Sequence, residues 1–547
     1  MALLPSLLHF AGNLARTRHV RAFDAAAGDP EAAQRGRLAE IVARNRDTEY
    51  GRAHFAQART AEEYARAAPL LTPAALQPWV RREMEGARGV LTADAPIYYV
   101  RTTGSTGEPK HIPITPSYRD EFQRTVHVSL WHLRQRFPQA FRGRALYFVG
   151  SRRVARAPDG NDIGTMSGFN FTQMPALVRA IYAWPYPLFE VQDLRARSFL
   201  ALLFATLGDP SIIAGIFPAP IVYLLRDLEQ QAGPLARCLR DGALPALSLP
   251  EGQRSFFQRA LGGRHPALAR RVERGNAWPS LRLVYCWTTA TAALYLPELE
   301  RRLGPGVAVR DAIYSACEGW CSIPMGEEEP GGALALTSHF FEFLEEGGGD
   351  QPRFAWQLEE GRRYQIVLTT SAGLYRYALG DVVEVCGFYR RAPRIRFVRK
   401  LGAASNLAGE KLDESHVNAA VARALGTAGL EATFFTLTPL LEGDRPGYLL
   451  IIEPQVEPGE GAFEKLRAAA DRALGEASFD YGRLRAGGQL APLAISALAP
   501  GTYARIRQAK VRDGSAEAQL KTAHLVAEAS ALPGELRACF SSFRRET

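Results

Sequence analysis

The sequence lacks any run of about eighteen uncharged apolar residues, the length that a membrane-spanning helix requires. Its apolar opening, MALLPSLLHFAGNLA, has no basic residues at its start and contains Pro5 and His9. A secretory signal would need a basic start followed by an unbroken apolar stretch. We therefore interpret this opening as an amphipathic helix, and we expect a cytoplasmic protein that has no membrane partner.

Cysteine is scarce, and its spacing does not suggest a metal site or a disulfide framework. The six cysteines include no CxxC pair, and the closest spacing is the CxxxC of Cys317 and Cys321. Zinc sites and small disulfide-rich domains use tighter or repeated spacings. We expect reduced thiols in apolar surroundings, which excludes a secreted fold that depends on disulfides.

Lysine is also scarce, although the chain carries a formal net charge of +9. The arginines are spread along the chain without a dense basic block, so we expect no nucleic-acid partner. A compact, flexible ammonium and a planar guanidinium are not interchangeable. The lysines that remain among the 66 basic residues are therefore candidates for functional positions: Lys110, Lys400, Lys411, Lys465, Lys510 and Lys521.

The order of apolar segments predicts two domains, as expected for a chain of 547 residues. Residues 1–398 combine helical segments such as EAAQRGRLAEIVARNR with strand-like runs such as RALYFVGS, LRLVYCWTT and GALALTSHFFEFLEE. This mixture is typical of a layered α/β domain. Residues 399–547 contain the helix candidate DESHVNAAVARALGTA and the strand candidates ATFFTLTPLL and GYLLIIEP, which predict a small α+β domain.

The segment TTGSTGEPK, residues 102–110, predicts a phosphate-binding loop. Small residues let backbone N–H groups approach an anion, and Lys110 adds a positive charge. The loop is not a Walker A motif, because Gly104 and Gly107 are three residues apart and His111 follows the lysine. Its glycine spacing also differs from that of a dinucleotide fingerprint, so the spacing alone leaves the phosphate chemistry open.

Further motifs follow this loop along the chain. YSACEG, residues 314–319, places a glutamate four residues after a tyrosine, and LYRYALGDVVEVCGF, residues 374–388, places an aspartate after a glycine. Together with the loop, they resemble the motifs of adenylate-forming enzymes, which activate a carboxylate with ATP. The blocks FFEFLEE, NLAGEKLDE and GSAEAQLKTAHL narrow the resemblance to the acyl-acid amido synthetase family, known as auxin-responsive in plants. We interpret the chain as a bacterial-type member.

The resemblance implies the fold of acyl-CoA synthetases and luciferase, in which a large layered α/β N-terminal domain precedes a small mobile α+β C-terminal domain. It also implies that the protein uses ATP and Mg²⁺. The phosphates would be held by Lys110 and by residues of the loop, namely Thr102, Thr103, Ser105 and Thr106.

The two downstream motifs imply further roles toward the nucleotide. Glu318 resembles the family's magnesium ligand, a hard carboxylate suited to an ion that bridges phosphates. Tyr314 is expected to stack on adenine. Asp381 is expected to accept hydrogen bonds from both ribose hydroxyls, since a carboxylate is an acceptor-only group. Thr288 and Thr289 occupy the place of an adenine loop but lack its glycine, so adenine contact and a buried strand end are both open there.

The C-terminal domain would supply lysines to the same reaction. Lys400 lies where the resemblance expects a basic hinge residue that touches ribose, although Arg399 is an equal candidate. Lys411 would act after a hinge rotation about residues 398–403. Lys521 aligns with a catalytic lysine that meets the reacting carboxylate and the α-phosphate, but Thr522 and Ala523 replace the Pro-Arg that follows it in the family.

The implied reaction has two steps. A carboxylic acid attacks ATP to give an acyl-adenylate and pyrophosphate, and an amine or amino acid then displaces AMP. We expect a monomer, and the general base is open among His111, His339 and His416. Two alternatives also remain open: an acyl-CoA ligase of the same fold and a non-catalytic nucleotide-binding relative.

Overall fold

The computed structural model describes residues 3–102, 110–349, 351–401, 404–405, 407–408, 410, 412–441, 446–486, 488, 490–512, 523–527 and 529–537. The chain divides into two compact units, Met1–Phe397 and Val398–Thr547. Among the residues described, no helix is both long enough and apolar enough to cross a bilayer. Their cysteines, including Cys317 and Cys321, are free thiols, as expected.

Several helices of the first unit begin at a residue whose side chain caps the helix. Thr115, for example, accepts a hydrogen bond from the Tyr118 N–H and so caps the helix that follows it. The helices are α1 (Leu3–Gly28), α2 (Pro30–Asn45), α3 (Glu49–His54), α4 (Ala61–Ala67), α5 (Pro73–Met84), α6 (Pro116–Arg136), α7 (Met166–Gln173), α8 (Ala176–Arg179), α9 (Leu194–Gly208), α10 (Ala219–Asp241), α11 (Glu251–Leu261), α12 (Pro266–Glu273) and α13 (Leu296–Leu303). The predicted N-terminal helix is thus confirmed from Leu3 onward.

The strands of the first unit form three sheets within the described residues. The strands are β1 (Tyr98–Thr102), β2 (Lys110–Ile114), β3 (Arg144–Tyr147), β4 (Ala155–Arg156), β5 (Asp162–Gly164), β6 (Pro210–Ala214), β7 (Leu283–Cys286), β8 (Ala308–Asp311), β9 (Ser322–Ile323), β10 (Gly332–Leu334), β11 (Phe340–Glu345), β12 (Arg353–Phe354), β13 (Arg363–Thr369), β14 (Tyr377–Tyr389) and β15 (Ala392–Lys400). Their orders are β2-β1-β5-β4, β3-β6-β7-β8 and β12-β11-β13-β14-β15-β10-β9.

Two of these sheets contribute to separate hydrophobic cores. The sheet β3-β6-β7-β8 is parallel, and its strands pack with α9 and α10 in one core. The seven-stranded sheet packs with α2 and α6 in a second core, which includes Phe341, Ile366 and Val383. Parallel strands joined by helices give a layered α/β unit, as the alternating sequence pattern predicts.

The run GALALTSHFFEFLEE forms two strands instead of one. β10 ends at Leu334, and β11 begins at Phe340. The intervening Ser338 bonds to α6 through its hydroxyl, which donates to the Glu121 carbonyl, while its amide donates to the Ala335 carbonyl directly after β10. These polar contacts end the first ladder and direct the chain into the next pair of strands.

The second unit is α+β, as expected. Its elements are β16 (Ala404–Ser405), β17 (Leu412–Asp413), α14 (Glu414–Ala428), β18 (Ala432–Leu440), β19 (Gly447–Pro454), α15 (Ala462–Ala477), α16 (Phe479–Ala486), β20 (Ala494–Ala497) and α17 (Thr502–Arg512). β18 and β19 pair antiparallel, whereas β19 and β20 pair parallel. Asp413 is the N-cap of α14, and its side chain accepts from the amides of Ser415 and His416.

Candidate active site

The predicted phosphate loop joins two antiparallel strands. β1 and β2 form a hairpin in which Thr102 pairs with Lys110. Thr103, Ser105 and Thr106 lie outside the described residues. The pairing places the half-buried Lys110 directly across from Thr102, so the ends of the loop are close together.

α5 fixes the outer strand of this hairpin. The Gln77 side chain accepts from the His111 N–H at 3.0 Å and donates to the His111 carbonyl at 3.2 Å. This pair of bonds replaces the ladder that an edge strand lacks. Burial, with the nearby charge of Arg101, lowers the pKa of His111, so its imidazole is favoured in the neutral form.

The second and third motifs meet at a hydrogen bond between Tyr314 and Asp381. The Tyr314 hydroxyl donates to Asp381 Oδ2 at 2.7 Å, and both side chains are buried. Burial raises the pKa of the Tyr314 phenol well above its ordinary value, and the Asp381 carboxylate raises it further. The phenol therefore stays protonated and remains a donor to the carboxylate.

A second bond joins the same motifs in the opposite sense. The Tyr377 hydroxyl donates to Glu318 Oε1 at 3.3 Å. Burial and the Glu318 charge raise the pKa of Tyr377, so this phenol is a donor as well. Each motif thus gives a phenol to the carboxylate of the other, and the sequence motifs alone do not identify Tyr377 as part of this arrangement.

Arg376 sets the direction of Tyr377, because its backbone is left-handed, with φ of +46°. A non-glycine residue is uncommon in this region and needs other contacts to hold it there. The guanidinium meets the buried Glu342 carboxylate at 3.0 and 3.1 Å and also donates to the carbonyls of Ala65 and Ala68. The arginine of the Tyr-Arg pair is therefore held in the interior by these contacts.

Glu318 lies at the tip of a tight turn. Ser315 and Trp320 form an antiparallel bridge, and the amides of Ala316 and Gly319 each donate to the other's carbonyl. A Cβ on Gly319 would lie 2.8 Å from a methyl group of Leu368, so a side chain does not fit there without rearrangement. The half-buried Glu318 carboxylate contacts Tyr377 and is a hard oxygen ligand of the type that Mg²⁺ takes.

The segment after β7 is bound by the half-buried carboxylate of Asp311. Asp311 accepts from the amides of Thr288 and Gly331, at 3.0 and 2.8 Å. Burial raises the pKa of Asp311, and these bonds to the carboxylate act against that rise. Adenine contact and a structural strand end both stay open for Thr288 and Thr289.

Lys400 is the last residue of β15, a strand that spans the boundary between the two units, and is half-buried. The neighbouring Arg399 lies 3.5 Å from Asp413 Oδ2, which engages its guanidinium in an ion pair. Lys411 and Lys521 lie outside the described residues. The role of Lys400 toward ribose stays a prediction, with Arg399 as the equal candidate.

Two contacts flank the predicted lysine positions of this unit. The buried Glu410 accepts from the amides of Leu407 and Ala408, at 2.6 and 2.8 Å. His524 extends the sheet beside β18, since its carbonyl accepts from the Leu437 amide at 2.8 Å. The chain is therefore anchored one residue before Lys411 and three residues after Lys521.

Among the described residues, no three His, Cys, Asp or Glu side chains form a ready metal cluster. Mg²⁺ in nucleotide sites is often held by one or two carboxylates together with phosphates and water. Glu318 fits this pattern as a single carboxylate at an accessible turn.

A model of the GH3 family N-terminal domain matches residues 19–309, and models of the central and C-terminal domains match residues 332–400 and 415–530. The chain belongs to the GH3 family. The family resemblance carried by the motifs is thereby confirmed, whereas the bacterial-type interpretation stays a prediction. The N-terminal match contains the β1–β2 hairpin, and the central match contains Asp381.

Two relatives illustrate the similarity of this GH3 chain. It is 25% identical over 545 residues to the probable indole-3-acetic acid-amido synthetase GH3.2 of Oryza sativa subsp. japonica. The alignment covers 91% of this chain and 88% of the relative. It is 24% identical over 543 residues to the jasmonoyl-L-amino acid synthetase JAR4 of Nicotiana attenuata, with 93% of each chain covered.

Solved structures agree with the predicted fold of this GH3 chain. The GH3.15 acyl acid amido synthetase matches with a TM-score of 0.84 at 21% identity and 94% coverage of each chain. A 2-hydroxyisobutyryl-CoA ligase in the postadenylation state matches with a TM-score of 0.59 at 12% identity, covering 94% of this chain and 92% of the ligase. The predicted adenylate-forming fold is therefore confirmed.

Proposed function

We propose that this chain is an ATP-dependent acyl-acid amido synthetase. It activates a carboxylic acid as an acyl-adenylate and transfers the acyl group to an amine or amino acid. The observation that carries the proposal is the pair of crossed tyrosine hydrogen bonds that joins the motif of Asp381 to the motif of Glu318. These bonds support a shared site with two acceptor-only carboxylates, of which one would suit ribose hydroxyls and the other a metal ion.

The first step transfers the adenylyl group. A carboxylate oxygen of the acid attacks the α-phosphorus of ATP, and the bond to the β-phosphate oxygen breaks, so that pyrophosphate leaves. Lys110 and the loop residues Thr102, Thr103, Ser105 and Thr106 are proposed to hold the phosphates as negative charge moves toward pyrophosphate. Lys521 is proposed to bind the reacting carboxylate and α-phosphate, and Lys400 the ribose.

Glu318 is proposed to hold Mg²⁺, which would neutralise phosphate charge when bound. Tyr377 then limits the directions in which the carboxylate turns, because its hydroxyl occupies Oε1. Tyr314 is proposed to lie against adenine, and its hydrogen bond fixes the carboxylate of Asp381 for ribose.

The second step forms the amide. The nitrogen of the amine attacks the acyl carbon, loses a proton, and the bond to AMP breaks. An acyl-adenylate hydrolyses readily, so the site must exclude water until the amine arrives. The second unit is proposed to move between the two steps, which would change the groups that face the adenylate.

Exchange of labelled pyrophosphate into ATP tests the first step without knowledge of the acceptor. A panel of aryl, indolyl, jasmonate-like and fatty acids should contain at least one acid that stimulates exchange, and Asp381→Ala should require a higher ATP concentration for the same stimulation. No stimulation by any acid, together with tight ATP binding, would favour a non-catalytic nucleotide-binding protein.

Release of AMP in the presence of the active acid tests the acceptor. Amino acids should stimulate release more than coenzyme A. The converse would favour an acyl-CoA ligase, a reading that the similarity to the 2-hydroxyisobutyryl-CoA ligase fold makes worth testing. Light scattering tests the proposed monomer, and fractionation of the source cells tests the cytoplasmic location.

A further inference from the structure

Two backbone groups on either side of Glu318 are bound by buried side chains. The Tyr118 hydroxyl donates to the Cys317 carbonyl at 2.9 Å, immediately before Glu318. His339 Nε2 accepts from the Trp320 amide at 3.1 Å, two residues after it. The turn that carries Glu318 is therefore held at both of its ends.

The two side chains that make these bonds support one another. The rings of Tyr118 and His339 are stacked, with centroids 5.8 Å apart and an interplanar angle of 17°, and both residues are fully buried. Tyr118 comes from α6, whereas His339 precedes β11. Their contact joins a helix and a sheet at the turn that presents Glu318.

A buried carboxylate fixes the histidine through a hydrogen bond. His339 Nδ1 donates to Glu121 Oε2 at 3.0 Å, and because Nε2 is an acceptor, this pattern assigns a neutral ring with its proton on Nδ1. Arg37 donates to the other oxygen of Glu121. Burial by itself would raise the pKa of Glu121, but Arg37 and His339 hold it below its usual value.

The same carboxylate also reaches the segment before the third motif. The Ser371 amide donates to Glu121 at 3.1 Å, and the Thr115 hydroxyl donates to the Ser371 carbonyl at 2.8 Å. Glu121 is entirely buried, so these bonds are not exchanged with water. Glu121 therefore contacts the segment that leads to β14 directly and, through His339, holds the turn that carries Glu318.

We propose that Tyr118 and His339 are positioning residues for magnesium binding: they fix the backbone on both sides of Glu318 so that its carboxylate is ready for the metal of Mg·ATP. The proposal rests on the proposed function through the role of Glu318. Neither side chain touches the reacting atoms in this scheme, and both act through the turn. Because the turn is already ordered, metal binding does not have to include the entropic cost of ordering it.

Two substitutions test the two backbone contacts separately, one at Cys317 and the other at Trp320. Tyr118→Phe keeps the stacked ring and removes only the donor to Cys317. His339→Asn keeps a donor near the position of Nδ1, toward Glu121, and removes the acceptor for Trp320. Tyr64→Phe is the matched control, since Tyr64 is fully buried and its hydroxyl bonds to Thr369 and not to the turn.

The readout is the dependence of ATP binding on Mg²⁺, measured by calorimetry over a range of free Mg²⁺ concentrations, with EDTA as the metal-free reference. Loss of one hydrogen bond predicts an increase of about fivefold in the Mg²⁺ concentration needed for half-maximal enhancement in Tyr118→Phe and in His339→Asn. Glu318→Gln should remove the enhancement, and Tyr64→Phe should leave it unchanged. ATP binding in EDTA should be the same in all five proteins, the wild type included.

The outcomes distinguish this proposal from the proposed function. The proposal is overturned if both variants match the wild type in Mg²⁺ dependence, or if they lose ATP binding in EDTA to the same extent, which would indicate a general structural role. A wild type that shows Mg²⁺-enhanced ATP binding and no pyrophosphate exchange would contradict the proposed function alone. A wild type without Mg²⁺-enhanced binding would overturn the positioning role.

Discussion

Tyr314 donates its phenol hydrogen to Asp381 over 2.7 Å, although the two residues are 67 positions apart in the chain. The bond of Tyr377 to Glu318 crosses between the same two motifs in the reverse direction and spans 59 positions. The two carboxylates that the sequence singles out are therefore held by tyrosines of each other's motif. Substitution of the tyrosine in one motif should therefore alter how the carboxylate of the other motif is held.

Asp381→Ala should raise the KM for ATP roughly 10- to 100-fold, because a charged acceptor for the ribose hydroxyls is lost. Tyr314→Phe keeps the aromatic ring and removes the bond to Asp381, so a smaller rise of roughly 2- to 10-fold is expected. Initial rates of pyrophosphate exchange at varied ATP measure both effects. An unchanged KM in Asp381→Ala would contradict the ribose role, and Tyr64→Phe controls for the loss of a buried hydroxyl.

Lys521→Ala should reduce acid-dependent pyrophosphate release by on the order of 10²-fold, about 3 kcal/mol of transition-state stabilisation. The reason is the loss of a cation beside the carboxylate and the α-phosphate. Lys465→Ala is the matched control, since Lys465 is exposed on α15. Release at the wild-type rate would show that another group meets the reacting atoms. This outcome is open because Thr522 and Ala523 replace the Pro-Arg that follows the lysine in the family.

The buried position of Glu83 predicts that the free energy of unfolding depends on pH. Its Oε1 accepts from the Leu91 amide at 3.0 Å, whereas its Oε2 is buried without a hydrogen-bond partner. Burial raises the pKa of Glu83 from 4.5 to about 7, and the bonds from Leu91 and Thr92 only partly oppose this. The folded state therefore favours the protonated acid, and this contribution to stability is present below pH 4.5 and is lost as the pH rises through about 7.

Glu83→Gln should remove this loss, because the amide does not ionise. The variant should resemble the wild type near pH 4.5 and be more stable near pH 8, by up to about 3 kcal/mol. Thermal unfolding at both pH values measures the difference, with Glu85→Gln as a control at an exposed position of the same segment. A difference that does not change with pH would contradict the assignment.

Arg376→Met should destabilise the first unit by about 3–5 kcal/mol, because it leaves the Glu342 carboxylate buried without its cation. The pKa of Glu342 is already raised by burial, with Arg376 acting against the rise. Urea unfolding followed by tryptophan fluorescence measures the change. The exposed pair of Arg82 and Glu49 is the control, and Arg82→Met should shift the midpoint little, since such pairs are screened by water. Equal shifts in both variants would contradict the buried-pair argument.

The sequence predicted the helices and strands well where the apolar period is regular. The α14 helix and the β18 and β19 strands follow their predicted segments. The run GALALTSHFFEFLEE was wrong as a single strand, because the polar residues at its centre bind α6, a partner that local periodicity does not contain. Tertiary contacts thus divided this run, because its side chains bond to a distant helix.

The sequence by itself determined the types and order of the site residues and, through them, the family and the fold. It did not determine how those residues meet. The pairing of Tyr314 with Asp381 and of Tyr377 with Glu318 depends on distances of about 3 Å between separate elements, and the support by Tyr118 and His339 depends on how α6 packs against the sheet. Hydrogen bonds require such closeness and alignment, which only the folded chain supplies.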